Sequence, residues 1–234
     1  MDNVLSLYFN NRRCEEMGIY LYDIPSISVS NRDYTSQAIA GKLGYLITDN
    51  ESIDNISIKC TFGILNKHSH HVFRSIKKWL TGKGNLYLTE TPDSFYEVVY
   101  VKRGDIEREL QCFSIFTVEF ICFPYEFALT GKERYKAVDG NLTNPHDQCM
   151  PEYIISGEGI CTLTVNGKDI VANIGQNLTI DTRRLIAYRT DSGENMNTDV
   201  TGDYTLLWLK EGKNSISITN DFDLDIIPHW GWKA

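Results

Sequence analysis

The 234-residue sequence has no apolar run near the ~20 residues that a membrane-spanning helix requires, so no such helix is expected. It also lacks the basic start and unbroken apolar core of a secretory leader. The opening MDNVLSLYFNNRRCEEMG places charge and Asn where that core would lie, and the chain is expected to be made and folded in a cytoplasm. Positive charge is not in excess: 23 Lys and Arg stand against 31 Asp and Glu, a net charge of −8, with −3 before Ala128 and −5 from there onward. Neutralising a phosphate backbone takes clustered cations, so a nucleic-acid surface is not the expected main function. The 6 cysteines (Cys14, Cys60, Cys112, Cys122, Cys149 and Cys161) show neither a C-x-x-C pair nor zinc spacing, and read as small buried hydrophobes. A Cys112–Cys122 disulfide is not expected, since one strand holds these residues about 30 Å apart. No G-x-S-x-G, H-E-x-x-H or phosphate-binding glycine loop occurs. The residues therefore nominate no catalytic group, no cofactor-binding residue, no metal ligand and no cofactor.

What is present is β-forming material. Hydrophobic residues make up 42% and aromatic residues 12%, with 13 Tyr, a composition that leans towards sheets and is long enough for a core without disulfides or metal. Its strongest expression is CFSIFTVEFICFPYEF at residues 112–127. Side chains two apart share a strand face. One face, Cys112, Ser114, Phe116, Val118, Phe120 and Cys122, reads as buried. The other, Phe113, Ile115, Thr117, Glu119, Ile121 and Phe123, is wetter at its centre, so Glu119 should point away from the core. Pro124 removes a ladder donor, and the strand is expected to end near it. This strand is taken as the last of a first domain, residues 1–128, with a second domain at residues 129–234. No internal repeat or low-complexity linker separates them.

Upstream, NVLSLYF (residues 3–9) reads as a strand and GIYLYDIPSI (18–27) as another interrupted by Pro25. In the stretch 28–47, Arg32 and Asp33 precede a polar, glycine-containing loop. Residues 54–65 alternate, with Ile56, Ile58, Cys60 and Phe62 on one face. The one clear helix starts at Ser69, an N-cap candidate, and carries Val72, Phe73, Ile76, Trp79 and Leu80 as an apolar stripe. Arg74, Lys77 and Lys78 lie off the stripe, and Gly82 or Gly84 ends it. Residues 85–88 and 96–102 read as strands, Arg103-Gly104-Asp105 as a turn, and 96–110 as a hairpin or extended arm. In the second half the expected strands are 153–155, 160–165, 168–172, 178–181, 185–189, 204–209, 215–219 and 222–227. Gly157 and Gly159 follow the first, Asn166-Gly167 makes a tight hairpin turn, and Gly212 with Asn214 marks another. The fold class is mainly β: a β-rich N-terminal domain with one amphipathic helix, then a C-terminal β-sandwich.

Four groups of residues invite chemistry. His68, His70 and His71 lie at the helix start, but no carboxylate or cysteine is spaced to complete a metal site, and a polar loop is the preferred reading. Asp221, Asp223 and Asp225 match the start of a calcium loop. The sequence then places Ile226 where that loop needs Gly and Trp232 where it needs Glu, so alternating strand is the better reading. Glu15/Glu16 and Glu107/Glu109 are carboxylate pairs that nothing marks as acid and base. Trp230 and Trp232 suit either a sugar-stacking platform or packing of the C-terminus onto the sheet, the latter being preferred.

Ordered combinations carry a resemblance. FTVEFICFPYEF (116–127) resembles the end of the N-terminal domain of the distal tail protein (Dit) family of long, non-contractile-tailed phages. GIYLYDIP (18–25), the amphipathic helix and NLYLTETPDSFYEVVYV (85–101) are similar to that family's first half. PEYIISGEG (151–159), VNG (165–167), LTID (178–181), TGDYTLLWLKEGKN (201–214) and IPHW (227–230) are similar to its second. The resemblance covers nearly the whole chain. It implies a non-enzymatic structural protein of the virion tail tip: a homohexameric ring of N-terminal domains with projecting galectin-like C-terminal domains. That ring joins the tail tube protein to the tail-tip or baseplate hub protein, supports host attachment, in some phages through a receptor-binding protein, and meets DNA only in transit through its lumen. A segment at residues 96–110 is the candidate subunit contact. The alternatives are a carbohydrate-binding adsorption module and, third, a cell-wall hydrolase.

Overall fold

The computed structural model describes the backbone of residues 5–65, 69–110 and 113–234; the side chains at 51, 65, 69–72 and 106–110 lie outside the described set. The structure is mainly β with one α-helix. It divides into two compact units, Met1–Glu126 with Lys233–Ala234, and Phe127–Trp232.

The first unit contains β1 (Leu7–Phe9), β2 (Arg12–Arg13), β3 (Ile19–Leu21), β4 (Ser26–Ile27), β5 (Arg32–Ala38), β6 (Tyr45–Ile53) and β7 (Ile56–Leu65). After these come α1 (Ser69–Trp79), β8 (Gly84–Leu88), β9 (Ser94–Leu110) and β10 (Phe113–Ala128), which runs across the unit boundary. The sheet order is β2-β1-β8-β9-β10-β7-β3, and β4 also pairs with β7. The alternation read from residues 112–127 is what the sheet uses. Ser114, Phe116, Val118, Phe120 and Cys122 are buried, and Ile56, Ile58, Cys60 and Phe62 of β7 are completely so. Register places Phe120 against Ile58, Val118 against Cys60 and Phe116 against Phe62. The helix lays Phe73, Ile76, Trp79 and Leu80 on this face. Phe73 meets the Phe116 ring edge-on at 5.4 Å, and Phe9 meets Phe120 at 5.3 Å. Trp79 Nε1 donates to the Phe9 carbonyl at 2.7 Å, so the indole is buried without leaving a polar atom unpaired. Asn10 Nδ2 donates to the carbonyls of Trp79 and Thr81, and Arg103 donates to that of Lys77, covering groups the helix end leaves open.

Four expectations for this half need correction. The stretch after Asp33 is not one loop: β5 and β6 form a separate two-stranded sheet, turned through Gly41 and Gly44, both at positive φ. Arg103-Gly104-Asp105 is not a turn, so of the two readings of 96–110 the hairpin is excluded and the extended segment stands. The chain runs straight through as β9, which neighbours β10 and pairs with β8 at Tyr96–Val98. Gly104 serves close approach instead, since a Cβ there would stand 2.9 Å from the Thr117 carbonyl oxygen. The strand does not end near Pro124 but continues to Ala128. Pairing with β7 stops at Cys122, so the missing proline N–H costs no ladder bond to that strand, and the Pro124 carbonyl accepts from Ala234 N. Ser69 is the first helical residue rather than a flanking cap; its side chain and Cys112 lie outside the described residues.

The second unit holds β11 (Asn141–Asn144), β12 (Glu152–Val165), β13 (Lys168–Asp181), β14 (Ile186–Tyr188), β15 (Val200–Thr201), β16 (Gly212–Ile218) and β17 (Asp223–Ile227). A last strand, β18 (Gly231–Lys233), ends the chain. The order is β11-β16-β12-β13-β14, with β17 also on β12 and β15 on β13. Asn166 and Gly167 take φ of 52° and 75°, the left-handed pair a two-residue hairpin turn needs, and the ladder runs unbroken from Val165↔Lys168 to Glu152↔Asp181. The short strands expected at 153–155 and 160–165 are therefore one strand, as are those at 168–172 and 178–181. Gly157 and Gly159, at φ of 151° and 109°, carry β12 through conformations a side chain would oppose, and Gly157 leaves room for the Phe222 ring. The segment at 204–209 is not a strand: Tyr204–Leu207 is a 3₁₀ turn, whose start is held by Asp203 Oδ1 accepting from the Thr205 N–H at 2.9 Å. Gly212 opens β16, and Asn214 lies inside that strand, buried, with its amide bonded to Lys210, Gly212 and Asn166.

Candidate functional site

Glu119 sits at the centre of the outer face of β10, as the alternation of that strand requires. Its carboxylate accepts from Ser57 Oγ at 2.7 Å and stands 3.3 Å from Lys102 Nζ. The Ser57 hydrogen bond, then the Lys102 cation, hold its pKa below the ordinary carboxylate value. The group points away from the core, and it is a strut between β7, β10 and β9 rather than a free acid.

The other candidates disperse. His68 lies outside the described residues, and the side chains of His70 and His71 are outside the described set, as are those of Glu107 and Glu109. Among the described residues no group of His, Cys, Asp and Glu is arranged to hold a metal ion. Asp223 and Asp225 are engaged by Lys136, with Arg134 on Asp225, and Asp221 stands at a left-handed turn before β17. Glu15 accepts from Ser6 Oγ at 2.9 Å. Cys14, Cys60, Cys122, Cys149 and Cys161 are free and buried. Burial pushes the thiols of Cys122 and Cys149 up to about 12, which removes them as nucleophiles near neutral pH. Trp230 is buried 4.7 Å from Tyr135 and donates to Thr130 Oγ1, whereas Trp232 is 38% exposed and lies 4.3 Å from His146. The two indoles therefore do not share an open platform. A groove of about 430 Å³ lined by Asn10, Arg12, Met17, Ser75, Lys78 and Trp79 contains neither carboxylate nor histidine.

One pair was not legible in the sequence. His229 Nε2 lies 3.1 Å from Glu152 Oε1, both largely buried in the second unit. The imidazole hydrogen bond lowers the Glu152 pKa, against the opposing effect of burial. The two residues are 77 apart, and only the closure of β17 onto β12 brings them together.

The surface that stands out is the β5–β6 hairpin. Every described side chain from 31 to 55 is exposed. Register pairs Tyr34 with Asp49, Ser36 with Ile47 and Ala38 with Tyr45, which puts Tyr34, Tyr45 and Ile47 on one face. They are 55%, 68% and 66% exposed. The opposite face is polar apart from Leu46, and is tied by Asn50 Nδ2 donating to Asp33 and Thr35. The hairpin is thus amphipathic with its apolar side uncovered. The signal was present as two β-rich runs around Gly41 and Gly44.

No protein-family model matches the sequence. No curated protein matches it either. A solved structure does: the crystal structure of SPP1 Dit (gp 19.1), described as a paradigm of hub adsorption apparatus in Gram-positive-infecting phages. The TM-score is 0.66 at 12% identity, over 95% of this chain and 97% of that one. The fold is that of a phage Dit protein. The resemblance read from FTVEFICFPYEF and the ordered turns of the second half therefore points to the fold the chain has. The Dit likeness extends over almost the full length of both chains, so both units take part in it.

Proposed function

We propose that this chain is a structural distal tail protein of a non-contractile-tailed phage. The observation that carries the reading is the end-to-end sharing of the Dit fold, 95% of one chain on 97% of the other. In this reading residues 1–128 form a hexameric ring, and residues 129–234 project from it as a galectin-like β-sandwich. The ring joins the tail tube protein to the tail-tip hub protein and supports a receptor-binding component. It acts in the virion tail tip after assembly in the host cytoplasm, and its role is non-enzymatic. Charge supports it: a net −8 suits a lumen through which DNA slides, because basic walls would bind the phosphates. The carbohydrate-binding alternative has less behind it, since Trp230, half of its platform, is buried. Negative-stain imaging of the purified protein tests the proposal. Six-fold rings with a central hole are expected; a monomer that persists at high concentration overturns it.

A further inference from the structure

A two-stranded hairpin is marginal in water unless a third strand or another element packs on it. The β5–β6 hairpin has a separate two-stranded sheet, exposed side chains along its described length, and an apolar face of Tyr34, Tyr45 and Ile47. Its connection adds Ile39 and a fully exposed Leu43. Large side chains gathered on one uncovered face mark an interaction surface. The first unit carries a second such surface. Tyr20, Tyr22 and Ile24, spaced by two on and just after β3, are 47%, 62% and 68% exposed.

We propose that the β5–β6 hairpin is the contact through which copies of this chain assemble, its Tyr34–Tyr45–Ile47 face resting on the Tyr20–Tyr22–Ile24 strip of the next copy. The inference rests on the ring reading above and names its interface. Three observations select a second copy as the occupant. Both apolar surfaces are present on the same unit, so each copy supplies what its neighbour needs. They are different surfaces, and a contact between unlike surfaces is the kind that closes into rings rather than stopping at a dimer. Charge permits the approach: the chain carries −8, yet residues 32–53 carry only −1, and Asp49 is paired to Arg32 at 2.8 Å. The segment at 96–110 is a second candidate: β8 pairs with it only at Tyr96–Val98, but it shows no comparable gathering of exposed large apolar side chains among its described residues.

The neck of the hairpin makes the test clean. Asp54 N donates to the Asn31 carbonyl at 2.9 Å, so residues 32–53 can be replaced by a two-residue turn with the ends already joined. That variant, Tyr45→Ser/Ile47→Ser and Tyr22→Ser/Ile24→Ser are compared with the wild-type full chain by size-exclusion light scattering and negative stain at equal concentration. The substituted side chains are exposed, although Tyr22 also meets the Phe113 ring at 6.3 Å, so far-UV circular dichroism of the point variants should stay as in wild type. Wild-type rings and single-subunit mass for all three variants are expected. Intact rings in the hairpin variants overturn this contact while leaving the ring reading standing. Rings lost only in the hairpin variants overturn the Tyr20–Tyr22–Ile24 strip as the receiving surface. A wild-type monomer or dimer overturns the ring reading and this contact with it.

Discussion

The β5–β6 and β12–β13 hairpins are assembled from the same parts: two antiparallel runs rich in β-branched and aromatic residues, joined through residues at positive φ. Their surroundings differ completely. In β12 and β13, Tyr153, Ile155, Cys161, Leu163, Ile170, Ala172, Leu178 and Ile180 are buried, and β14, β15, β16 and β17 pair along their flanks. In β5 and β6 no described side chain is buried. Burying a large apolar side chain contributes roughly 1.5–3 kcal/mol, so the β12–β13 hairpin is fastened many times over and the β5–β6 hairpin depends on its own ladder. Local chemistry decides that a ribbon forms, and burial decides what it does. One ribbon is core; the other has its apolar face free for a partner.

That contrast can be broken or sharpened by substitution. The largest effect is expected at Phe120→Ala, in the sheet core of the first unit, where a completely buried ring packs on Phe9; about 3–5 kcal/mol should be lost in urea unfolding. Gly157→Ala should cost about 2 kcal/mol or more, because φ is 151° and the new methyl would meet the Phe222 ring at 2.3 Å. Trp79→Phe keeps an aromatic ring but leaves the Phe9 carbonyl without its donor, an expected loss of about 1–2 kcal/mol by the same measurement.

Glu152→Gln should act through pH. The folded-state pKa of Glu152 is lowered, so the stability it contributes is present above its unfolded value and lost as pH falls through the folded one. The stability gap between wild type and Glu152→Gln should therefore shrink as pH drops from about 6 to about 3; a gap that widens would exclude a stabilising hydrogen bond between Glu152 and His229. The smallest effect is expected at Tyr45→Ala, within about 0.5 kcal/mol in the dissociated subunit at low concentration. A loss as large as that of Trp79→Phe would mean that the hairpin face is already covered within the single chain, and the comparison would collapse.

Much of the β architecture was readable from residue order. Strand alternation named the buried faces of β7 and β10, helical spacing placed Phe73, Ile76, Trp79 and Leu80 on the core, and Asn166-Gly167 located its turn. Three of the misreadings share a cause. Gly104, Gly157 and Gly159 read as punctuation, yet each sits inside a strand, because a missing Cβ permits close backbone approach or an unusual φ as readily as it permits a turn. At residues 204–209 an apolar run suited a strand, but Asp203 caps a 3₁₀ turn there. Of the candidate surface, Tyr34, Tyr45 and Ile47 read as part of a polar loop, so neither its strands nor its exposure was foreseen.

Sequence alone determined which residues favour strands, which strand faces are apolar, that Glu119 lies on the wet side of β10, and that the cysteines at 14, 60, 122, 149 and 161 sit among buried hydrophobes. These follow from period and side-chain chemistry, which are local. Only the tertiary structure decided that Glu152 meets His229, that Trp230 is covered while Trp232 is not, and that Tyr34, Tyr45 and Ile47 have nothing upon them. Burial is a property of what the rest of the chain brings alongside, and no single stretch contains it.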